Sequence, residues 1–238
     1  MSELARAVWP DVPTARALVL VPVGSTEQHG PHLPLTTDTV IARAVATGAA
    51  ALLPGALVTP AIAFGNSGEH AGFPGTISIG HEALRFVLIE TVRSLALWAG
   101  RVVFVNGHGG NVRTLDAAVT MLRAEGHHVA WTPCVFPGAD AHAGRAETSV
   151  LLHLAPDEVR LAAAAAGDTR PLADLLPDLI TGGVRSVAPN GVLGDPAGAS
   201  AHEGRLLMDA LVDQTARRID RFTPDTRGRL TAVEATSA

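Results

Sequence analysis

The sequence predicts an α/β fold: a mainly parallel sheet with helices on both faces. Three observations carry this. Four short apolar runs read as buried strands. Helical patterns lie between them, the alternation that parallel connections require. Polar clusters directly follow each run, at the strand ends where open α/β sheets bind ligands.

The elements follow in order. "ALVLVPV" (17–23) is apolar throughout, as a strand buried on both faces must be. A helix is expected over 39–53. "ALVTPAIAF" (56–64) reads as the second strand and 81–99 as the next helix. "RVVFVN" (101–106) is the third strand, followed by a helix over 112–125. "HVAWTPCVF" (128–136) is the fourth, and "ETSVLLHL" opens a helix at Glu147. Residues 161–183 read as either a helical excursion or a flexible insertion. Residues 201–222 form an amphipathic helix with Leu207, Leu211 and Ile219 on one face. One domain is expected over 1–225, with 226–238 as a disordered tail.

Composition excludes several classes of function. The chain has 238 residues, 47% hydrophobic and 17% charged. It can therefore bury a large core and is not disordered. The net charge is -5 and Lys is absent. No basic block points to nucleic acid or an anionic membrane. Cys134 is the single cysteine. That excludes an intramolecular disulfide and fits a reducing cytosol. Residues 1–10 hold no apolar signal core and no run reaches membrane-spanning length. A cytoplasmic location is expected.

The chemistry lies in the loops. "GSTEQHG" follows the first strand, and Glu27 and His29, two residues apart on an extended segment, point the same way. Asp38 falls where the next helix starts and either caps it or bridges two metals. His108 sits between glycines in "NGHGGN" after the third strand. Glu147 either ligates or complements a helix dipole. Two imidazoles and three carboxylates suit Zn²⁺, Mn²⁺ or Fe²⁺, bound as one ion or two. His142, five residues before Glu147, is left to move protons. Glu69 and His70 suit a substrate-pocket or supporting role. Asn111, or backbone N–H groups of its loop, are candidates to steady an oxyanion. His32 reads as surface or supporting; His81, His127, His128 and His153 read as structural or solvent-facing. Arg145 reads as a surface residue or a carboxylate anchor.

At "GSTEQHGPHLPLTTD", "GEHAGFPGT", "NGHGGN", "HAGRAETS" and "GVLGDPAGASAHEG" the chain resembles the creatininase amidohydrolase family. The resemblance implies a three-layer α/β/α, creatininase-like fold and a homo-oligomer, often a hexamer. It implies metal ligands at Glu27, His29, Asp38 and His108, with Asp38 bridging, and a catalytic histidine at His142. The sequence departs from the creatininases themselves at Gly110, where they carry a carboxylate; Glu147 is the candidate replacement. Gly138 stands where they place an aromatic, so a creatinine pocket is not expected. Within the family the chain is most similar to a branch that cleaves a modified precursor peptide in redox-cofactor biosynthesis, releasing a C-terminal Val-Tyr-derived dipeptide. Fe²⁺ or Zn²⁺ is the expected ion, with Mn²⁺ as a third choice. A small-molecule amidohydrolase, including a formamide deformylase, is the alternative activity. A non-catalytic metal-binding accessory protein is the alternative from another class.

Overall fold

Val19, Val21 and Val23 point to one face of β1 (Ala17–Val23) and Leu18 and Leu20 to the other. Both faces are apolar, so both must be covered, and that demand sets the architecture. A computed structural model describes residues 3–13 and 16–231. It places β1 beside β2 (Leu57–Val58) and β3 (Ala99–Asn106), with β4 (Val129–Pro133) beyond β3. All pairings are parallel, in the order β2-β1-β3-β4. The register sets Leu20 against Val103 and Val103 against Ala130, which aligns the apolar rows across the sheet.

Helices fill both faces. α1 (Thr37–Leu52), α4 (Arg145–Leu154) and α6 (Ala201–Arg221) cover the face of Leu20, Val103 and Val105. α2 (Gly80–Leu95) and α3 (Val112–Ala124) cover the face of Val21, Phe104 and Trp131. The result is the expected three-layer α/β/α arrangement. α5 (Leu172–Val187) belongs to neither layer. Its Leu175 and Val184 pack with Leu193 and Phe73 in a small cluster at the carboxyl rim of the sheet.

Several boundaries differ from the sequence reading. The second strand is only Leu57–Val58, because Pro60 has no N–H to donate to a ladder. The chain still follows β1: Thr59 N–H donates to Leu20 O and Ile62 N–H to Pro22 O. The fourth strand stops at Pro133, and α2 ends at Leu95, four residues before its expected end. Residues 161–183 hold a short 3₁₀ turn and then α5, which the sequence left open between helix and insertion. Its ambiguity has a physical source. Pro177 lies inside the helix and Gly183 adopts a φ of 69°. The resulting kink blurs the period.

Residues 226–231, assigned to the tail, pair with β4. Trp131 N–H donates to Gly228 O, Leu230 N–H donates to Trp131 O, and Leu230 is buried. This protects the sheet edge. The remainder of the expected tail, 232–238, lies outside the described residues.

Candidate active site

Four loops at the carboxyl ends of the strands meet at one point. Glu27 and His29 come from the loop after β1, Asp38 from the first turn of α1, and His108 from the loop after β3. Glu147 lies in the first turn of α4 and His142 just before it. All but Glu147 are buried.

Asp38 is the hub. Its Oδ1 lies 3.1 Å from His29 Nε2 and its Oδ2 lies 3.2 Å from His108 Nδ1. The Ser25 hydroxyl donates to Oδ2 at 2.6 Å. Asp38 is not the helix cap, since it sits inside α1 as the second residue. The close fit around it requires glycine at 107, where a Cβ would lie 2.4 Å from the Asp38 backbone oxygen.

Three groups of side chains each present ligand atoms within 4.8 Å of one another: Glu27, Asp38 and His108; His29, Asp38 and Glu147; and Glu27, His29 and His142. The first two share Asp38, one oxygen facing each side. His29 donates Nδ1–H to the Glu27 backbone oxygen at 3.1 Å. That leaves Nε2 free to ligate. Glu147 Oε2 lies 4.0 Å from His29 Nε2 and also accepts the Ala143 N–H at 2.6 Å.

A cation fits this set. Both Glu27 carboxylate oxygens are buried with no hydrogen-bond donor among the described residues. A buried carboxylate in that state is costly unless a cation compensates it. His108 Nε2 and His70 Nε2 lie 3.2 and 3.3 Å from its oxygens, but neither contact is aligned as a hydrogen bond. The His108 distance suits two ligands of one ion, and Glu27, Asp38 and His108 form one such group, to which His70 does not belong.

The electrostatics agree. Burial opposes a charge on His29, yet Asp38, Glu147 and Glu27 outweigh it and raise the imidazole to about 9. His108 is likewise raised against burial by Glu27 and Asp38. Burial works against ionisation of Asp38, and His29 and His108 hold its carboxyl well below the usual range. The carboxylates thus draw positive charge into a buried place, as protons or as metal. His142 behaves oppositely: burial first, and then the neighbouring His29, push it down to about 4. It is a neutral imidazole at pH 7. Its Nε2–H donates to the Gln28 backbone oxygen at 2.8 Å. Nδ1 is therefore the basic atom. It lies 3.9 Å from Glu27 Oε1.

Other candidates fall in different places. Glu69 lines the cleft, its Oε1 3.4 Å from His108 Nε2 and in the space that a side chain at Gly110 would take. Asn111 is buried with its amide spent: Nδ2–H groups donate to Gly24 O and Asn106 Oδ1, and Oδ1 accepts from Asn66 N–H. It has no free N–H for an oxyanion. Arg145 is exposed and donates its Nε–H to both Glu203 carboxylate oxygens, at 3.1 and 2.9 Å. His32 is buried behind the site against Thr148 Oγ1. Sequence reasoning missed Ser25 and the side chain of Gln28. Both stand in the quoted "GSTEQHG" stretch, but nothing local marks their distant partners.

Above the site is an open cleft of about 1150 Å³, with Leu172, Leu176 and Ile180 of α5 along one wall. Among the described residues, no helix is long and apolar enough to cross a membrane.

Comparison with known proteins adds the following. The family model "Creatininase: Creatinine amidohydrolase" matches residues 5–219. The mycofactocin precursor peptide peptidase of Mycobacterium ulcerans (strain Agy99) is 52% identical over 239 residues, 97% of this chain and 96% of that protein. The mycofactocin precursor peptide peptidase of Mycolicibacterium smegmatis is 55% identical over 220 residues, 90% and 89% of the two chains. Creatinine amidohydrolase of Pseudomonas putida is 32% identical over 241 residues, 88% and 91%. Among solved structures, a creatininase mutant in its Zn–Zn form superposes with TM-score 0.77 at 27% identity, covering 94% of this chain and all of that one. A manganese form of creatininase gives TM-score 0.77 at 28% identity, with the same coverage.

Proposed function

The chain belongs to the creatininase family, and on that premise we propose that it is a metal-dependent peptidase acting on a mycofactocin precursor peptide. It releases the Val-Tyr-derived C-terminal dipeptide of the modified precursor. The observation that carries this reading is identity of 52–55% to precursor peptide peptidases across nearly their whole length, against 32% to a creatinine amidohydrolase. The open cleft supports it, since about 1150 Å³ is room for peptide on both sides of a scissile bond.

Glu27, Asp38 and His108 would hold one divalent ion, and His29, Asp38 and Glu147 would hold a second. Glu147 would then replace the carboxylate that Gly110 lacks. Fe²⁺ or Zn²⁺ fits the mixed nitrogen and oxygen donors, and Mn²⁺ is a third choice. Cations bound there lower the pKa of water and polarise the scissile carbonyl. Nδ1 of His142 accepts the proton that the attacking water loses as its oxygen bonds to the carbonyl carbon. The same nitrogen delivers that proton to the amine nitrogen as the C–N bond breaks. Glu69 faces the substrate from the cleft wall, and His70 supports Glu27 from behind. The enzyme works in the cytosol as a homo-oligomer. Burial raises the Cys134 thiol, which keeps it unreactive.

The test uses protein loaded separately with Fe²⁺, Zn²⁺ and Mn²⁺, incubated with precursor peptide modified at its Val-Tyr end and followed by mass spectrometry. Release of a Val-Tyr-derived fragment, absent in His108→Ala, is expected. Cleavage of a formamide or of creatinine instead, with the peptide left intact, would transfer the activity to small amides.

A further inference from the structure

Gln28 is buried beneath the metal ligands and holds three elements together. Its Oε1 accepts the Gly30 N–H at 2.8 Å. Its Nε2 lies 3.0 Å from Gly191 O, 2.9 Å from His70 Nδ1 and 3.1 Å from His142 Nε2. The amide cannot be turned over, because its nitrogen would then face an N–H and its oxygen a carbonyl.

Elimination assigns every proton. Gly191 O only accepts, so it takes one of the two amide hydrogens. The Gln28 backbone oxygen also only accepts, so the His142 Nε2 at 2.8 Å must carry a hydrogen. That nitrogen therefore cannot accept the second amide hydrogen, which goes to His70 Nδ1. His70 then carries its own proton on Nε2, the atom 3.3 Å from Glu27 Oε1. In the other tautomer a lone pair would face that carboxylate at the same distance, which is repulsive.

We infer that Gln28 is a positioning residue: its side-chain amide locks His70 as the Nε2–H tautomer, which steadies Glu27 for the metal and bars His70 from ligating through that nitrogen. The inference rests on the metal-centre reading above. Space around Gln28 agrees with a fixed seat. At Gly191, φ is 81°, and a Cβ there would lie 1.8 Å from Gln28 Oε1. No larger residue leaves room for the amide in this pose.

The experiment compares wild type, Gln28→Met, His70→Gln and the double variant. Nitrogen-15 NMR of the metal-free protein reads the His70 tautomer directly, with the resonance assigned by its loss in His70→Gln. Chelator competition reads the Zn²⁺ dissociation constant. Wild-type His70 is expected with its proton on Nε2, and Gln28→Met is expected to show both tautomers. Zn²⁺ affinity in Gln28→Met falls ~10–100-fold, the usual effect of losing a partner behind a ligand. In the His70→Gln background the same change costs no further affinity, because a Gln amide faces Glu27 without needing a fixed tautomer. Unchanged affinity in Gln28→Met, additive losses in the double variant, or a wild-type proton on Nδ1 would each overturn the inference. A wild type that binds no Zn²⁺ but shows the expected tautomer would overturn its metal role and the metal-centre reading, leaving only the tautomer lock.

Discussion

At the scale of single residues, the site sorts its histidines by what surrounds them. His29 and His108 face carboxylates and gain positive charge, whereas His142 and His70 are buried among imidazoles and stay neutral. Only a neutral imidazole can accept the proton of an attacking water. His142→Ala should therefore lower kcat by ~10²–10⁴-fold, the usual worth of a general acid–base. Metal content by atomic absorption should match wild type. Loss of an ion in that variant would instead make His142 a ligand, as its grouping with Glu27 and His29 allows. Gly107→Ala tests the packing beneath the ligands. Its Cβ would meet the Asp38 backbone oxygen at 2.4 Å. Overpacking of this kind costs ~1–3 kcal/mol. Chemical denaturation should show that loss, together with weaker metal binding. The convergence of Glu27, His29 and His108 was legible because they stand in short loops directly after strands, whereas Asp38 and Glu147 open the helices that follow. Gln28 was not, because its side chain answers to residues 42 and 163 positions away. No local pattern encodes such partners.

At the scale of elements, legibility followed burial. β1, β3 and β4 are covered on both faces, so each is a continuous apolar run that composition alone exposes. The second run was equally apolar, but Pro60 denies it a donor and only two residues pair. α5 was harder to read because Pro177 and Gly183 interrupt its period. It is also the element on which substrate selection should depend. Ile180 is 83% exposed on the cleft wall. It stands in line with Leu172 and Leu176 at helical spacing. A peptide in the cleft would cover this strip, and burying one such side chain is worth ~1.5–3 kcal/mol. Ile180→Asp should raise KM for the precursor peptide about tenfold or more, with kcat and metal content unchanged. An unaltered KM would place the peptide elsewhere. The stretch 226–231 shows the converse limit. Polar, Gly-containing sequence read as a tail, yet Leu230 is buried against the core, and only the position of β4's open edge explains why. Leu230→Ala should cost ~2–5 kcal/mol, read as a fall in Tm of roughly 5–15 °C.

At the scale of the whole molecule, the two apolar cores leave the polar rim as the part whose stability depends on solution conditions. In the metal-free protein this dependence has two opposed arms. His142 titrates at about 4 when folded and near 6.5 when unfolded. Between those values the unfolded chain binds more protons, so stability rises with pH. His29 titrates at about 9 when folded. Its contribution is fully present below 6.5, its unfolded value, and is lost as pH rises through about 9. His108 is shifted in the same direction and adds to this descending arm. Metal-free stability should therefore peak near pH 6.5 and decline on both sides. Metal changes only the alkaline arm. Binding requires His29 and His108 to shed the protons that the carboxylates hold there, so affinity rises with pH over the window in which the metal-free fold weakens. Calorimetric Tm values from pH 4.5 to 9.5, with chelator and with saturating Zn²⁺, should coincide at the acidic end and diverge progressively above pH 6.5. A metal-free Tm that continued to climb to pH 9 would mean that His29 and His108 carry no proton in the folded state. The buried carboxylates would then have to draw their compensating charge from another source.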